Sequence, residues 1–559
     1  LAIGFAQIGG LSESGAQAQT KPKKEDKSGS ATNLFGETVT VNVVNVEVFV
    51  TDKKGNRVTG LTKDDFELFE NKRPMAITNF FAIEAGKAVA PPAPPVVATE
   101  ASPAEPEPIG PPAEDQRLLL VVYVDNFNLR PFNRNRVIRE MRAFIDQKLS
   151  RGDLMMLVTY DRSVHIRQPF TSDPGLINSA LVGLEKISGQ GVHADSERRE
   201  VLQRIEESTS ASEAVGWARA YSESTFNDLS FSVDALRDIV NGLAGTPGRK
   251  AVLYVSDGLQ MIAGSDVFHA VQAKYAEGAT LTQSFEFDAS RRFRELTAAA
   301  NANRVTFYTI DAAGLRAYSS ISAENQSAGQ GVFIDQIQIQ NLQATLQMMA
   351  EDTGGKAILN ANKVGPQLEK IADDFKSYYS LGYSPPHNGD GRYHEIDVKL
   401  KNKKGLEIRH RAGYRDKTPD TKMNDGTLAA LTFPFQSNPL DLEIEFGQPK
   451  AREDGYYLVP VNVKIPLGKL VLIPRDTAHE ASIRLYVAAA DSEGGTSEVQ
   501  QSPVPIRIPS VDIERAVHQS YTYTLTLLMR KGDQKVAVGL RDDLAGAVSF
   551  VSRGVRIGG

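Results

Sequence analysis

At 559 residues the chain is too long for one hydrophobic core, and its length implies about three or four domains. Hydrophobic residues make up 41% and charged residues 24%, an ordinary balance for soluble globular protein. A net charge of −6, with no basic stripe interleaved with aromatics, gives no footing to a nucleic-acid partner. The absence of cysteine removes disulfides, thiolate nucleophiles and zinc–thiolate sites together.

Residues Leu1 to Ile8 are mostly apolar, and Gly15-Ala16-Gln17-Ala18 ends in an A-x-A pattern. This reads as the tail of a secretory signal peptide cleaved after Ala18, with a polar leader running to residue 36. No other apolar run approaches the roughly 20 residues needed to span a bilayer. The expectation is an exported protein: periplasmic, cell-surface or extracellular.

Residues 37–84 are rich in β-branched residues and partly alternate, as in Val46-Glu47-Val48-Phe49-Val50 and Phe66-Glu67-Leu68-Phe69-Glu70. Period-two alternation predicts strands with one buried face, and so a small β module. Residues 85–116 are dominated by Pro, Ala and Glu and predict an extended linker, since such composition cannot offset its ordering entropy. Residues 117–377 then alternate buried strands with helices. Leu118 to Val124 is a continuous apolar run ending at Asp125, and Ala251 to Val255 is another, ending at Ser256-Asp257-Gly258. Helices are predicted over Asn133 to Leu149, Leu176 to Ile187, a long stretch from Ser196 to Leu243, Phe285 to Asn301, Gln340 to Glu351 and Val364 to Lys376. Asp153 to Tyr160 and Val164 to Phe170 predict a hairpin that adds one antiparallel edge strand. The pattern implies a doubly wound α/β domain with a mostly parallel sheet. Residues 378–416 return to strand-like sequence and are expected to pack with the N-terminal module. A break at Lys417 to Gly426 precedes residues 426–559, whose strand spacing predicts a C-terminal β-sandwich.

Several features occur together: a strand ending at Asp125, the hairpin with Pro169-Phe170-Thr171-Ser172-Asp173, and a strand ending at Ser256-Asp257-Gly258. In this order they resemble a von Willebrand factor A domain. The flanks sharpen the likeness. Leu61-Thr62-Lys63-Asp64-Asp65-Phe66, His394-Glu395-Ile396-Asp397-Val398 and Arg411-Ala412-Gly413-Tyr414 resemble the segments that bracket this domain in bacterial exported von Willebrand factor A-related proteins of acidobacterial type. The resemblance covers about residues 38 to 416. It implies Mg²⁺ or another divalent cation at the carboxyl ends of the strands, completed by a partner's carboxylate. Matched to the family motif, the ligands are Asp125, Thr171 and Asp257. The two hydroxyl positions are Phe127 and Leu129, so the metal motif is degenerate.

Beside Asp125 stand Asn126, Asn128, Arg130, Arg134 and Arg136, a basic segment at a helix start, where the macrodipole disfavours positive charge. These residues are the candidate partner-binding set, suited to an acidic surface. Eight histidines are scattered without a two-histidine metal spacing, and no Gly-x-Ser-x-Gly elbow or phosphate loop is present. With no catalytic constellation, the expected function is non-enzymatic: an exported binding or adhesion-type protein acting on a protein partner. The alternative is a structural subunit of an envelope or membrane-associated assembly, held by its β domains.

Overall fold

The computed structural model describes residues 43–84, 87–89, 117–148, 153–276, 279–316, 328–401, 403–433, 437–492 and 495–558. The signal-like start, the leader and most of the Pro-rich segment lie outside the described residues. Among the described residues, no helix is long and apolar enough to cross a membrane. The chain divides into two compact units, Val43–Phe435 and one that contains Gln436–Gly559.

In the larger unit the first strands are Val44–Asp52 (β1), Phe66–Glu70 (β2), Arg73–Met75 (β3), Asn79–Glu84 (β4) and Lys87–Val89 (β5). They pair with strands from far along the chain: Tyr378–Tyr383 (β12), Tyr393–Leu400 (β13), Leu406–His410 (β14) and Gly413–Arg415 (β15). One sheet has the order β14-β1-β12-β4-β5 and the other β15-β13-β2-β3. Alternation explains the register. Val46, Val48 and Val50 of β1 face inward against Leu68, Leu381, Ile396 and Val398, while the intervening side chains face away.

Between these segments lies a six-stranded sheet of Leu118–Val124 (β6), Leu154–Tyr160 (β7), Val164–Thr171 (β8), Arg249–Ser256 (β9), Val305–Asp311 (β10) and Ala357–Ile358 (β11). Its order is β11-β10-β9-β6-β7-β8, parallel throughout except for the antiparallel edge strand β8. The chain winds outward from β6 first one way and then the other, so the topological switch point lies between β6 and β9. Both strands are buried along their full length.

Successive residues of β6 feed opposite cores. Leu118, Leu120, Val122 and Val124 pack under helices Pro131–Lys148 (α1), Pro174–Leu184 (α2) and Gly365–Lys376 (α9). Val121 and Tyr123 pack under Ala211–Gly242 (α4), Ser290–Ala302 (α7) and Ala328–Asp352 (α8).

Three helical expectations need correction. The stretch from Ser196 to Leu243 is two helices, Gly191–Glu207 (α3) and α4. The break falls at Ser208-Thr209-Ser210, where the Ser210 hydroxyl accepts from Glu213 N at 3.3 Å and so caps α4. Helices Ser265–Tyr275 (α5) and Ala279–Ser284 (α6) occupy sequence for which no helix is predicted. The predicted break at Lys417 to Gly426 is largely helix, Pro419–Thr432 (α10). Thr418 caps it, accepting from Thr421 N at 3.1 Å, and Pro419 opens the first turn. The following Phe433 meets Phe170 edge-on at 5.4 Å, so this segment belongs to the larger unit.

The smaller unit holds Glu443–Phe446 (β16), Lys450–Ala451 (β17), Tyr457–Pro466 (β18), Ile473–Arg475 (β19), Ala478–Asp491 (β20), Gln500–Pro509 (β21), Ser520–Met529 (β22), Gly532–Asp542 (β23) and Val548–Ile557 (β24). One sheet joins β16, β17 and β22 to β18; the other joins β19, β21, β23 and β24 around β20. Val459, Val461, Val463 and Leu527 of the first interleave with Ile483, Leu485, Val538 and Leu540 of the second, which makes a β-sandwich.

Candidate functional site

In open α/β sheets, ligands gather beyond the carboxyl ends of the strands at the switch point. Asp125 follows β6 there, and Asp257 follows β9. Asp125 is 1% exposed, and both of its oxygens are met by protein donors. Tyr254 donates to Oδ2 at 2.6 Å and Ser256 at 3.0 Å, while the Asn128 backbone and side-chain amides reach Oδ1 at 3.2 and 3.1 Å. Burial pushes the Asp125 carboxyl up, and these hydrogen bonds pull against it. Asp257 accepts from Asn133 Nδ2 at 3.0 Å on both oxygens and from Arg130 N at 3.1 Å. Burial, the largest influence, pushes its carboxyl up to about 6.

Thr171 is not at this end of the sheet. Because β8 runs antiparallel, its last residue pairs with Met155, near the start of β7, and Met155 in turn lies beside Leu120. The Thr171 hydroxyl accepts from Asp173 N at 3.1 Å and helps turn the chain into α2. The three expected metal ligands are therefore not brought together.

The remaining donor set does not fit Mg²⁺, which needs oxygen ligands in near-octahedral array. Leu129 is fully buried, Phe127 packs edge-on against Tyr160 at 6.2 Å, and each carboxylate is engaged by protein N–H or O–H groups. The expectation of a divalent cation at Asp125, Thr171 and Asp257 is corrected accordingly.

The partner-binding set divides. Asn126 and Arg134 are buried: Arg134 donates to Asn126 Oδ1 at 2.5 Å, and Asn126 donates to Ser188 O at 2.9 Å. Arg136 is tied to Ala312 O at 2.6 Å and Asn362 O at 2.9 Å. These three groups hold loops together and are not offered outward, because each finds acceptors in the loops beside α1. Asn128 and Arg130 line a cleft of about 150 Å³ with Phe127, Arg162, Thr225 and Asp257. Arg130 forms a two-pronged ion pair with Asp195 of α3, its Nη2 contact being 2.7 Å. Arg162 lies 3.3 Å from Asp228 of α4 and 5.1 Å above the Phe127 ring. The cleft floor is strand-end carboxylate, and its rim alternates cation and anion.

Gly191 shows how tightly the loops are drawn. A Cβ there would stand 2.6 Å from the Leu129 carbonyl carbon, so only glycine lets the start of α3 rest on the Asp125 loop. Sequence reasoning missed Asn133, Tyr254, Asp195 and Arg316, the last donating to Asp257 O at 2.5 Å and Asp311 Oδ1 at 2.9 Å. Strand period could have flagged Tyr254, since it shares a face with Ser256 two residues on.

At the β7–β8 turn, Asp161, Ser163 and His165 bring an acid, a hydroxyl and an imidazole together. Both contacts, 2.8 Å from Asp161 and 3.0 Å from Ser163, use His165 Nε2. A single nitrogen cannot relay a proton between them, so triad chemistry is not assembled there.

No protein-family model matches the chain, and no curated protein matches it. Solved structures that match include an aerotolerance-related membrane protein from Bacteroides fragilis, at 13% identity, covering 46% of this chain and 98% of that one with TM-score 0.21. A von Willebrand factor type A protein from Catenulispora acidiphila matches at 9% identity over 94% of this chain and 75% of its own, TM-score 0.21. The manganese-loaded TRAP protein of Plasmodium vivax matches at 11% identity over 54% and 94%, TM-score 0.23. At TM-scores this low the likenesses carry no argument about function. The chain's own strand order is what makes it a mixed α/β protein with a largely parallel central sheet flanked by β sheets.

Proposed function

We propose that this is a non-enzymatic, exported protein of adhesion or assembly type, which holds a protein partner at the carboxyl ends of its central strands without metal in that cleft. The observation that carries the reading is the cleft itself. It lies at the switch point, its rim alternates Arg130 and Arg162 with Asp195 and Asp228, and Phe132, two residues after Arg130 in the chain, is 77% exposed. An exposed aromatic flanked by charges of both signs has the composition of a protein-binding anchor and rim.

The test is affinity capture from an envelope fraction, followed by binding measurements with the captured protein. Phe132→Ala combined with Arg162→Glu is expected to abolish binding, and binding that survives this pair overturns the reading. A second reading, a structural subunit held by its β domains, is favoured by the independent core of the C-terminal sandwich. Deleting residues 437–559 discriminates: loss of assembly with that deletion, while the cleft variants still bind, supports the second reading.

A further inference from the structure

Away from the cleft, the β module gathers two histidines and three carboxylates from four separate stretches of chain. Glu70 ends β2, His387 and Asp390 lie in the loop after β12, His394 is on β13, and Asp416 follows β15. Glu70, His394 and Asp416 are each at most 6% exposed. One ligand atom from each of Glu70, His387 and His394 lies within 4.8 Å of the other two.

We propose that Glu70, His387 and His394 bind a divalent transition-metal ion of the zinc class. Asp416 and Asp390 hold the outer ring nitrogens.

Glu70 Oε2 is held by the Tyr383 hydroxyl at 2.5 Å and the Tyr414 hydroxyl at 3.0 Å. Its other oxygen, Oε1, faces His387 Nε2 at 3.0 Å and His394 Nδ1 at 3.9 Å. The far nitrogen of each ring is on a carboxylate: His387 Nδ1 on Asp416 at 2.8 Å, and His394 Nε2 on Asp390 at 3.2 Å. Metal-ligating histidines are oriented in this way, with the outer N–H on a carboxylate and the inner lone pair turned to the ion.

Asn71 fixes the His394 tautomer. Its Oδ1 accepts from Glu395 N at 3.0 Å, which turns its Nδ2 toward His394 Nδ1, also at 3.0 Å. His394 Nδ1 is therefore the lone-pair side, and an ion there takes the place of the Asn71 amide.

A neutral His387 has one N–H for the two carboxylates at its two nitrogens. The two carboxylates call for positive charge at His387, which a second ring proton supplies in the metal-free chain and a divalent ion supplies on displacing that proton. Two imidazole nitrogens and one carboxylate suit zinc, whereas Mg²⁺ prefers oxygen ligands throughout. The rings stack in parallel at 3.8 Å, so an ion bound by both turns at least one ring out of the stack. That rotation gives a signature beyond affinity.

The test uses the full chain, stripped with chelator and titrated calorimetrically with Zn²⁺ and, in parallel, with Mg²⁺. The expected result is one saturable Zn²⁺ site with no Mg²⁺ counterpart, unchanged in Asp257→Asn. Either His387→Gln or His394→Gln is expected to weaken it by well over tenfold, and Asp416→Asn by roughly tenfold. Because the variants could fail to fold, the wild-type chain with ¹⁵N-labelled histidine provides a second readout. Zn²⁺ is expected to shift the His387 Nε2 and His394 Nδ1 resonances. No saturable Zn²⁺ heat, equal affinity in both histidine variants, or histidine spectra that Zn²⁺ leaves unchanged would each overturn the proposal.

Discussion

The cleft at Asp125 and Asp257 and the cluster at Glu70, His387 and His394 are both buried and rich in carboxylates, yet they are organised oppositely. In the cleft, every carboxylate meets protein donors: Tyr254, Ser256, Asn128, Asn133 and the Arg130 amide. In the cluster, Glu70 Oε1 and two imidazole nitrogens converge, and an amide donor reaches only one of them. A carboxylate surrounded by donors is a structural anchor. A carboxylate oxygen that faces imidazole nitrogens is satisfied by a ring proton or by a metal ion that replaces it. Counting acidic residues cannot separate these cases, whereas following each hydrogen can.

The difference can be broken or sharpened by substitution, and the largest effect is expected at Asp125. Asp125→Ala removes the acceptor shared by Tyr254, Ser256 and Asn128 and is expected to cost about 4 kcal/mol, since each orphaned buried group costs about 1–3 kcal/mol. Urea unfolding measures this, and a loss below about 1 kcal/mol would refute the structural role.

Next comes Asp257, whose carboxyl is raised from 3.8 to about 6 by burial. A raised folded-state value means that the group's contribution is fully present below about 4 and is lost as pH rises through about 6. At ~1.4 kcal/mol per unit this amounts to about 3 kcal/mol. The stability difference between wild type and Asp257→Asn, followed from pH 4 to pH 7 without metal, should trace that decline. A flat difference contradicts it.

Ser210→Ala removes the cap of α4, which walls the cleft, and is expected to cost about 1 kcal/mol. Thermal unfolding detects it, and Ser210→Asp should restore the loss. Smallest is Phe132→Ala: at 77% exposure it should change stability by less than about 0.5 kcal/mol while weakening partner binding. A large stability loss would mean that Phe132 packs rather than recognises.

The central sheet was legible because Leu118 to Val124 and Ala251 to Val255 are unbroken apolar runs, as strands buried on both faces must be. Helix α10 was not, because Thr418-Pro419 resembles a break as much as a cap, and only packing beside Phe433 decides. In the cleft, the end-of-strand positions of Asp125 and Asp257 were readable. Thr171 was misplaced although the predicted hairpin already implied its position, since an antiparallel strand finishes at the end of the sheet opposite the carboxyl ends of the parallel strands. Arg134 was read as partner-binding, yet its acceptors are close in the chain, Asn126 eight residues back and the adjacent Asn135, and spacing alone does not show that the guanidinium folds back onto them. The cluster was invisible for a related reason: Glu70 and His387 are 317 positions apart, so no spacing rule joins them.

That separation also bears on the order in which the protein can fold. Strand β1 is made early, but β12, its partner, appears more than three hundred residues later, as the Glu70–Tyr383 hydrogen bond records. At ribosomal speeds of ~5–20 residues per second, the wait lasts tens of seconds. Through that interval Val46, Val48 and Val50 have no β12 to pair with, and an unpaired apolar strand is a template for the wrong neighbour. The module that begins the described chain is thus among the last parts of the larger unit to close, and newly made protein is most exposed to misassociation there.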